Sequence, residues 1–379
     1  MDMIYLDHAA ATPLDPRVLA AMQPYFSERF YNPSAMYSAA QGVYRDIEAA
    51  RSVVALCLGV RPAEVVFTAG GTEANNLAIS GVMRRYPQAR MLLSAIEHDS
   101  VLETAKQYEH SILPVSEQGI VQAEAVQARI DDQTVLVTIM YANNEVGTIQ
   151  PIREISGIIN QVRNDRRARG VDLPLYFHTD AAQATNYLDM QVSRLGVDLM
   201  TLNGGKMYGP KQSGALYIRA GVTLLPLITG GGQEHKIRSG TENVPGIIGC
   251  AAALQIAQGM RNEETKRLAE LQRYFYHQLK EYLPTAIING SLKRRLPNNL
   301  HITIPGKDNE RLLYQLDDAG IMAAAGSACS ASNEAASHVL LAMGLSEADA
   351  RSSLRLTMGR ATDKAALERT LQALSDFAR

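Results

Sequence analysis

Tryptophan is absent from the 379 residues, and there are only three cysteines and six phenylalanines. Three cysteines cannot build a disulfide framework in so long a chain. They point to a reducing compartment, where each thiol is either packed or reactive. No apolar run is long enough to cross a bilayer. The opening MDMIYLDHAAATPLDP lacks a basic region followed by an apolar stretch, so it does not read as a signal peptide, and a cytoplasmic location is expected. Neither charge dominates: 37 Lys+Arg face 39 Asp+Glu, a net charge of -2, and no general basic field attracts nucleic acid. Repeats and low-complexity tracts are also missing.

What is present is alternation. Val65 to Thr68, Met91 to Ser94, Val135 to Met140, Leu175 to Thr179, Asp198 to Leu202 and Ala215 to Ile218 read as strands, several apolar on both faces. Helical stretches separate most of them, which predicts an α/β fold with a mainly parallel sheet flanked by helices. Val43, Ile47, Ala50, Val54 and Cys57 recur at helical spacing, and Gly59 is a plausible stop. Cys57 therefore reads as a core thiol, as does Cys250 in GIIGCAAALQIA. After about Pro245 a long helix (roughly 246–282) precedes a strand at Asn299 to Ile304, then helix, small-residue loop, helix, strand and terminal helix: a smaller α+β unit.

Four segments carry residue types suited to chemistry. In Thr68-Ala69-Gly70-Gly71-Thr72-Glu73 a strand meets a helix start through two glycines. Such a turn serves as a phosphate cradle or simply as a Thr-capped turn. Neither a Walker loop nor a dinucleotide fingerprint is present. Asp180, at the end of an apolar strand, stands where α/β sheets bind ligands, although Asp is also a common turn former. His178 and Asp180 share a strand face, but no third ligand has convincing spacing, so no metal is expected. Lys206, between Gly204-Gly205 and Gly209, is either a restrained amine suited to Schiff-base chemistry or a surface loop lysine. Cys329 lies among Ala323, Ala324, Ala325, Gly326, Ser327, Ala328, Ser330, Ala331 and Ser332. Without bulky neighbours to pack it, a reactive thiol is favoured over a structural one.

The ordered set YLDHAAATPLDPRV, TAGGTEANN, EHDSV, NNEVG, HTDAAQA, GGKMYGPK, RSGTENV, GSACSAS and RLTMGRAT resembles the cysteine desulfurases, of the NifS/IscS type, within the class V aminotransferase family of fold-type I pyridoxal-phosphate (PLP) enzymes. The resemblance spans nearly the whole chain. It implies a PLP-binding α/β domain at 16–250, and a small α+β domain, 1–15 with 251–379, carrying a mobile cysteine loop at about 323–334. It implies a Schiff base between Lys206 and PLP, Asp180 at the pyridine nitrogen, His98 stacked on the ring and moving protons, and Gln183 at the ring oxygen. Gly71 and Thr72 would hold the phosphate, with Thr241 entering from a second subunit of a homodimer. Asn144 would border the cofactor and, with Arg355, clamp the substrate carboxylate. Cys329 would take sulfur from L-cysteine as a persulfide, with His98 receiving its proton.

The implied acceptor is an iron–sulfur scaffold protein, a sulfur carrier or a tRNA-thiolating enzyme, without direct contact to nucleic acid or membrane. The sequence departs from the family at Asn203 and Gly205, where Ser and His usually precede the lysine. The expectation there is weaker or rearranged phosphate binding, with Asn203 donating a hydrogen bond and Gly204-Gly205 offering a backbone nest. His338 replaces a frequent Tyr, an exchange expected to be neutral. Alternatives are a kynureninase-like or selenocysteine-lyase-like PLP enzyme, and a non-catalytic scaffold for sulfur-transfer partners.

Overall fold

The structure is a computed structural model and describes residues 3–326 and 336–378. Its main sheet has seven strands, ordered Val65–Thr68, Gly214–Ile218, Leu199–Asn203, Tyr176–Asp180, Thr134–Thr138, Arg90–Ser94 and His110–Leu113. The last five pair in parallel, while Gly214–Ile218 runs antiparallel to both of its neighbours. The expected α/β architecture is thus present, with one reversed strand. The central strands are buried along their whole length because helices cover both faces. Phe177 is fully buried there, and truncating it to Ala would cost about 3–5 kcal/mol.

Helix Ser38–Leu58 buries Val43, Ile47, Ala50 and Val54, the stripe legible in the sequence. It stops at Gly59, whose φ of 68 is left-handed and costs a glycine little. Helix Val244–Tyr282 runs 39 residues, about 58 Å at 1.5 Å per residue. Its first half, from Val244 to Ala257, packs into the large sheet's core. Its second half sends Leu268, Phe275 and Leu279 into another core, built with a three-stranded sheet of Ile287–Ile288, Asn299–Thr303 and Ser353–Thr357. One helix therefore ties the two hydrophobic cores together. The N-terminal strand Ile4–Tyr5 pairs in parallel with Ile321–Met322, which brings residues 7–12 back across the molecule. Among the described residues no helix is long and apolar enough to cross a membrane.

Buried histidines give this fold a pH signature. Burial holds His8 and His178 at about 4 and His301 at about 3, against an ordinary 6.5. Each stays neutral in the fold, while the unfolded chain takes up a proton below 6.5. Stability present above pH 6.5 is therefore lost as pH falls from 6.5 toward 4, about 1.4 kcal/mol per histidine per unit. Burial also pushes the Glu97 carboxyl well above its usual range, which acts in the opposite sense and offsets part of this loss. The apoprotein's melting temperature should drop steeply between pH 6.5 and 5 in a thermal scan. A flat profile over that range would contradict the neutral histidines.

Candidate active site

Two parallel strands deliver chemistry at their C-terminal ends: Tyr176–Asp180 terminates in Asp180, and Leu199–Asn203 leads through Asn203 into the tight turn Gly204–Lys206. Beside them, Val65–Thr68 passes through Gly70, at φ 135, into helix Gly71–Arg85. One cleft at this edge is lined by Gly71, Thr72, His98, Asn144, Asp180, Gln183, Asn203, Lys206 and Arg355, with Ala9, Ala10, Asn75 and Ser100. Residues far apart in sequence thus converge, as open α/β sheets favour. Gly205 is buried next to the cleft, Thr241 is exposed and does not line the cleft of its own chain, and Cys329 lies outside the described residues.

The Lys206 ammonium donates to the carbonyl oxygens of Ala9, at 2.9 Å, and Ala10, so the returning N-terminal segment fixes it in the cleft. Asp180 Oδ1 accepts from the Ala182 N–H at 2.9 Å, and Oδ2 accepts from Asn75 Nδ2 at 2.7 Å. Both carboxylate oxygens are thereby oriented, and each keeps acceptor capacity. His98 caps helix Asp99–Ala105: its Nδ1 accepts from the Ser100 N–H at 3.1 Å. An amide N–H can only donate, so the neutral ring carries its hydrogen on Nε2. In this tautomer Nε2 donates, which does not favour the expectation that His98 takes a proton from Cys329. Gln183 Nε2 donates to the Ala9 carbonyl at 3.0 Å.

Arg355 is 1% exposed. One terminal nitrogen donates to Asp7 Oδ1 at 2.7 Å and the other to the Asn144 carbonyl at 3.1 Å, while buried Nε has no partner. A buried, unpaired guanidinium N–H is costly unless an acceptor reaches it, and a ligand carboxylate is a suitable one. His178 has both ring nitrogens on hydroxyls, of Thr138 at 2.7 Å and Thr201 at 3.0 Å. No group of three candidate metal ligands occurs among the described residues.

The cleft fits PLP. The first-turn N–H groups of the 15-residue helix Gly71–Arg85 are free of intrahelical partners and suit a phosphate. In the same cleft stand an oriented carboxylate, Asp180, for a ring nitrogen and a fixed lysine, Lys206, for an aldehyde. Asn75 Oδ1 is buried without a partner at the same place.

Comparisons with known proteins give the chain its family. The model of the family "Aminotransferase class-V" matches residues 4–369. The chain belongs to the class-V aminotransferase family. Within it, the chain is 39% identical over 378 residues to a protein named cysteine desulfurase IscS from Dictyoglomus turgidum, covering 98% of this chain and 93% of the relative. A solved NifS-like protein superposes with a TM-score of 0.90 at 32% identity, over 99% of both chains. A structure described as SspA in complex with cysteine superposes with a TM-score of 0.81 at 34% identity, over 94% of this chain and 98% of that one. The chain is therefore of the NifS/IscS type, with PLP fold type I.

This class-V aminotransferase departs from the expected nest at 204–205. The Gly204 N–H donates to the Ser213 carbonyl at 2.8 Å, and the Gly205 N–H donates to Asn203 Oδ1 at 3.0 Å. Neither amide is free for an anion. The Asn203 amide nitrogen instead faces Gly71: a methyl group added there would lie 3.2 Å from it. A Cβ at Gly205 would meet only ordinary contacts, at 3.5 Å from Asn203 Oδ1 and 3.7 Å from Lys211. The backbone at Gly205 therefore accepts a side chain's first carbon, as Gly205→His requires. A new phosphate donor should slow PLP loss about tenfold, the lower end of a hydrogen bond to a charged group. Equal PLP dissociation constants for variant and wild type would discard that expectation.

Asp7, the Ala9-Ala10 carbonyls, Asn75 and Ser100 were not singled out from the sequence. Asn75 lies one helical turn beyond Gly71 and Thr72, a spacing that could have placed it on the same face. Nothing local to Asp7 announces a partner 348 positions away. The remaining thiols are poor candidates. Burial pushes Cys250 up to about 12 and raises Cys57, so neither forms a thiolate readily near neutrality.

Proposed function

We propose that this protein is a PLP-dependent cysteine desulfurase that converts L-cysteine to L-alanine and holds the sulfur on Cys329. The convergence of Lys206, Asp180, His98, Asn144 and Arg355 on one cleft carries this reading. The net reaction balances: L-cysteine and the Cys329 thiol give L-alanine and a Cys329 persulfide. One C–S bond breaks, one S–S bond forms, and the thiol hydrogens stay with the products.

Bound PLP supplies the electron sink that makes the substrate Cα–H acidic. Gly71 and Thr72 would hold its phosphate, aided by Asn203, and Asp180 its ring nitrogen. Arg355 and Asn144 would hold the substrate carboxylate, so the amino acid enters in one orientation. Lys206 Nζ would take the Cα proton and return it to the product. His98, its hydrogen on Nε2, would pack on the ring and donate a hydrogen bond rather than remove a proton. Cys329, as a thiolate, attacks the substrate sulfur. Ala324 is paired through its backbone with Arg355, and Cys329 follows it five steps along the chain, a covalent reach of about 18 Å.

In this reading residues 16–250 form the cofactor domain, and 1–15 with 251–379 the small domain that carries the cysteine. The enzyme works as a cytoplasmic homodimer, with Thr241 of each chain serving the other's site. A scaffold, carrier or tRNA-thiolating protein accepts the sulfur. The test is to load the purified chain with PLP, add L-cysteine and a reductant, and measure alanine and sulfide. Equal amounts are expected, and neither should form with Cys329→Ser. Alanine formed at the wild-type rate by Cys329→Ser would overturn the reading.

A further inference from the structure

A second set of contacts holds the cleft's two walls together from behind. Ser337 Oγ donates to Glu145 Oε2 at 2.5 Å. The next residue, His338, bonds through Nε2 to the Glu97 carbonyl oxygen at 3.0 Å. A carbonyl only accepts, so this Nε2 carries hydrogen. Both acceptors are buried residues, and each is the immediate neighbour of a cleft residue: Glu97 precedes His98, and Glu145 follows Asn144.

The same stretch packs as well as bonds. Val339 and Leu340 are buried in one small apolar cluster with Ile96, Met140 and Val146. Ile96 belongs to the His98 turn, and Val146 to the Asn144 turn. The acceptor turns are also braced elsewhere: Glu97 Oε1 accepts from the Met140 N–H at 2.8 Å, and Asn143 Nδ2 donates to the Ile96 carbonyl at 3.0 Å. Residues 337–340 close this network from outside, and they enter it directly after the stretch that contains Cys329.

We propose that His338 is a positioning residue whose hydrogen bond to the Glu97 carbonyl, together with Ser337–Glu145, fixes the His98 turn against the Asn144 turn. It does not line the cleft and acts through His98 and Asn144. The catalytic consequence rests on the proposed desulfurase reading, whereas the mechanical one does not.

The donor hydrogen separates two variants. His338→Phe keeps a ring and loses the donor, while His338→Tyr keeps an O–H at the ring's far end. Hydrogen exchange of the PLP-loaded full chain should show peptides within 95–101 and 142–148 exchanging about tenfold faster in His338→Phe. Peptides of helix Ser38–Leu58 should be unchanged, and His338→Tyr should restore slow exchange. With L-cysteine, kcat/KM should fall about tenfold in the Phe variant and recover in the Tyr variant. Unchanged exchange in both turns, or a Tyr variant that behaves like Phe, overturns the proposal. If wild type makes no alanine, the desulfurase reading fails, and the exchange result still decides the role of His338.

Discussion

Lys206→Ala should lower alanine formation from L-cysteine by at least about ten-thousandfold, because in the proposed reaction one group both tethers the cofactor and moves the Cα proton. The local fold gives the amine no substitute. Lys211, the nearest lysine in sequence, donates instead to the Thr12 carbonyl at 2.8 Å. Truncation at 206 removes the donor to the Ala9 and Ala10 carbonyls, both near the surface of the cleft, and leaves the turn's backbone bonds intact. The variant should fold, and borohydride should no longer fix PLP to the chain. Retention of even a hundredth of wild-type turnover would show that another base serves the reaction.

Arg355→Ala should raise KM for L-cysteine about a hundredfold while PLP stays bound. Charge-assisted hydrogen bonds contribute about 1.5–3 kcal/mol, and a hundredfold is about 2.7 kcal/mol. The Asp7 carboxylate loses its partner in this variant, so part of the loss reflects an uncompensated charge. Arg355→Lys isolates the fork: charge is retained, the paired N–H geometry is not, and KM should rise only about tenfold. Steady-state kinetics with a PLP titration check both. Equal KM values for wild type and Arg355→Ala would remove Arg355 from substrate binding.

Much of this was legible because burial writes itself into composition. In the strands ending at Asp180 and Asn203 the buried apolar residues Tyr176, Phe177, Leu199, Met200 and Leu202 carry the signal, and the observed limits differ from the expected ones by a residue. His110–Leu113 escaped notice because it is a short edge strand that exposes Ile112 and buries only Leu113, which gives no clear period. The site was legible through its motifs, but its wiring was not. Whether Gly204 and Gly205 offer their N–H groups depends on Ser213 and on the Asn203 side chain, a question of three-dimensional hydrogen bonding. The His98 tautomer depends likewise on one amide, that of Ser100. Asp7 and the Ala9-Ala10 carbonyls enter only because the Ile4–Tyr5 strand pairs with Ile321–Met322 and carries the following residues over the cleft. His338, expected to be interchangeable with Tyr, donates to the Glu97 carbonyl, a use that an apolar ring cannot meet.

The central claim is that the sulfur leaves cysteine and comes to rest at position 329. The most direct measurement is to mix the PLP-loaded protein with L-cysteine, alkylate the thiols, digest the chain and find by mass which peptide gained one sulfur atom. The predicted carrier is the peptide containing Cys329, with Cys57 and Cys250 unmodified. Alanine released while the extra sulfur sits on Cys57 or Cys250, or on no peptide at all, would contradict the account.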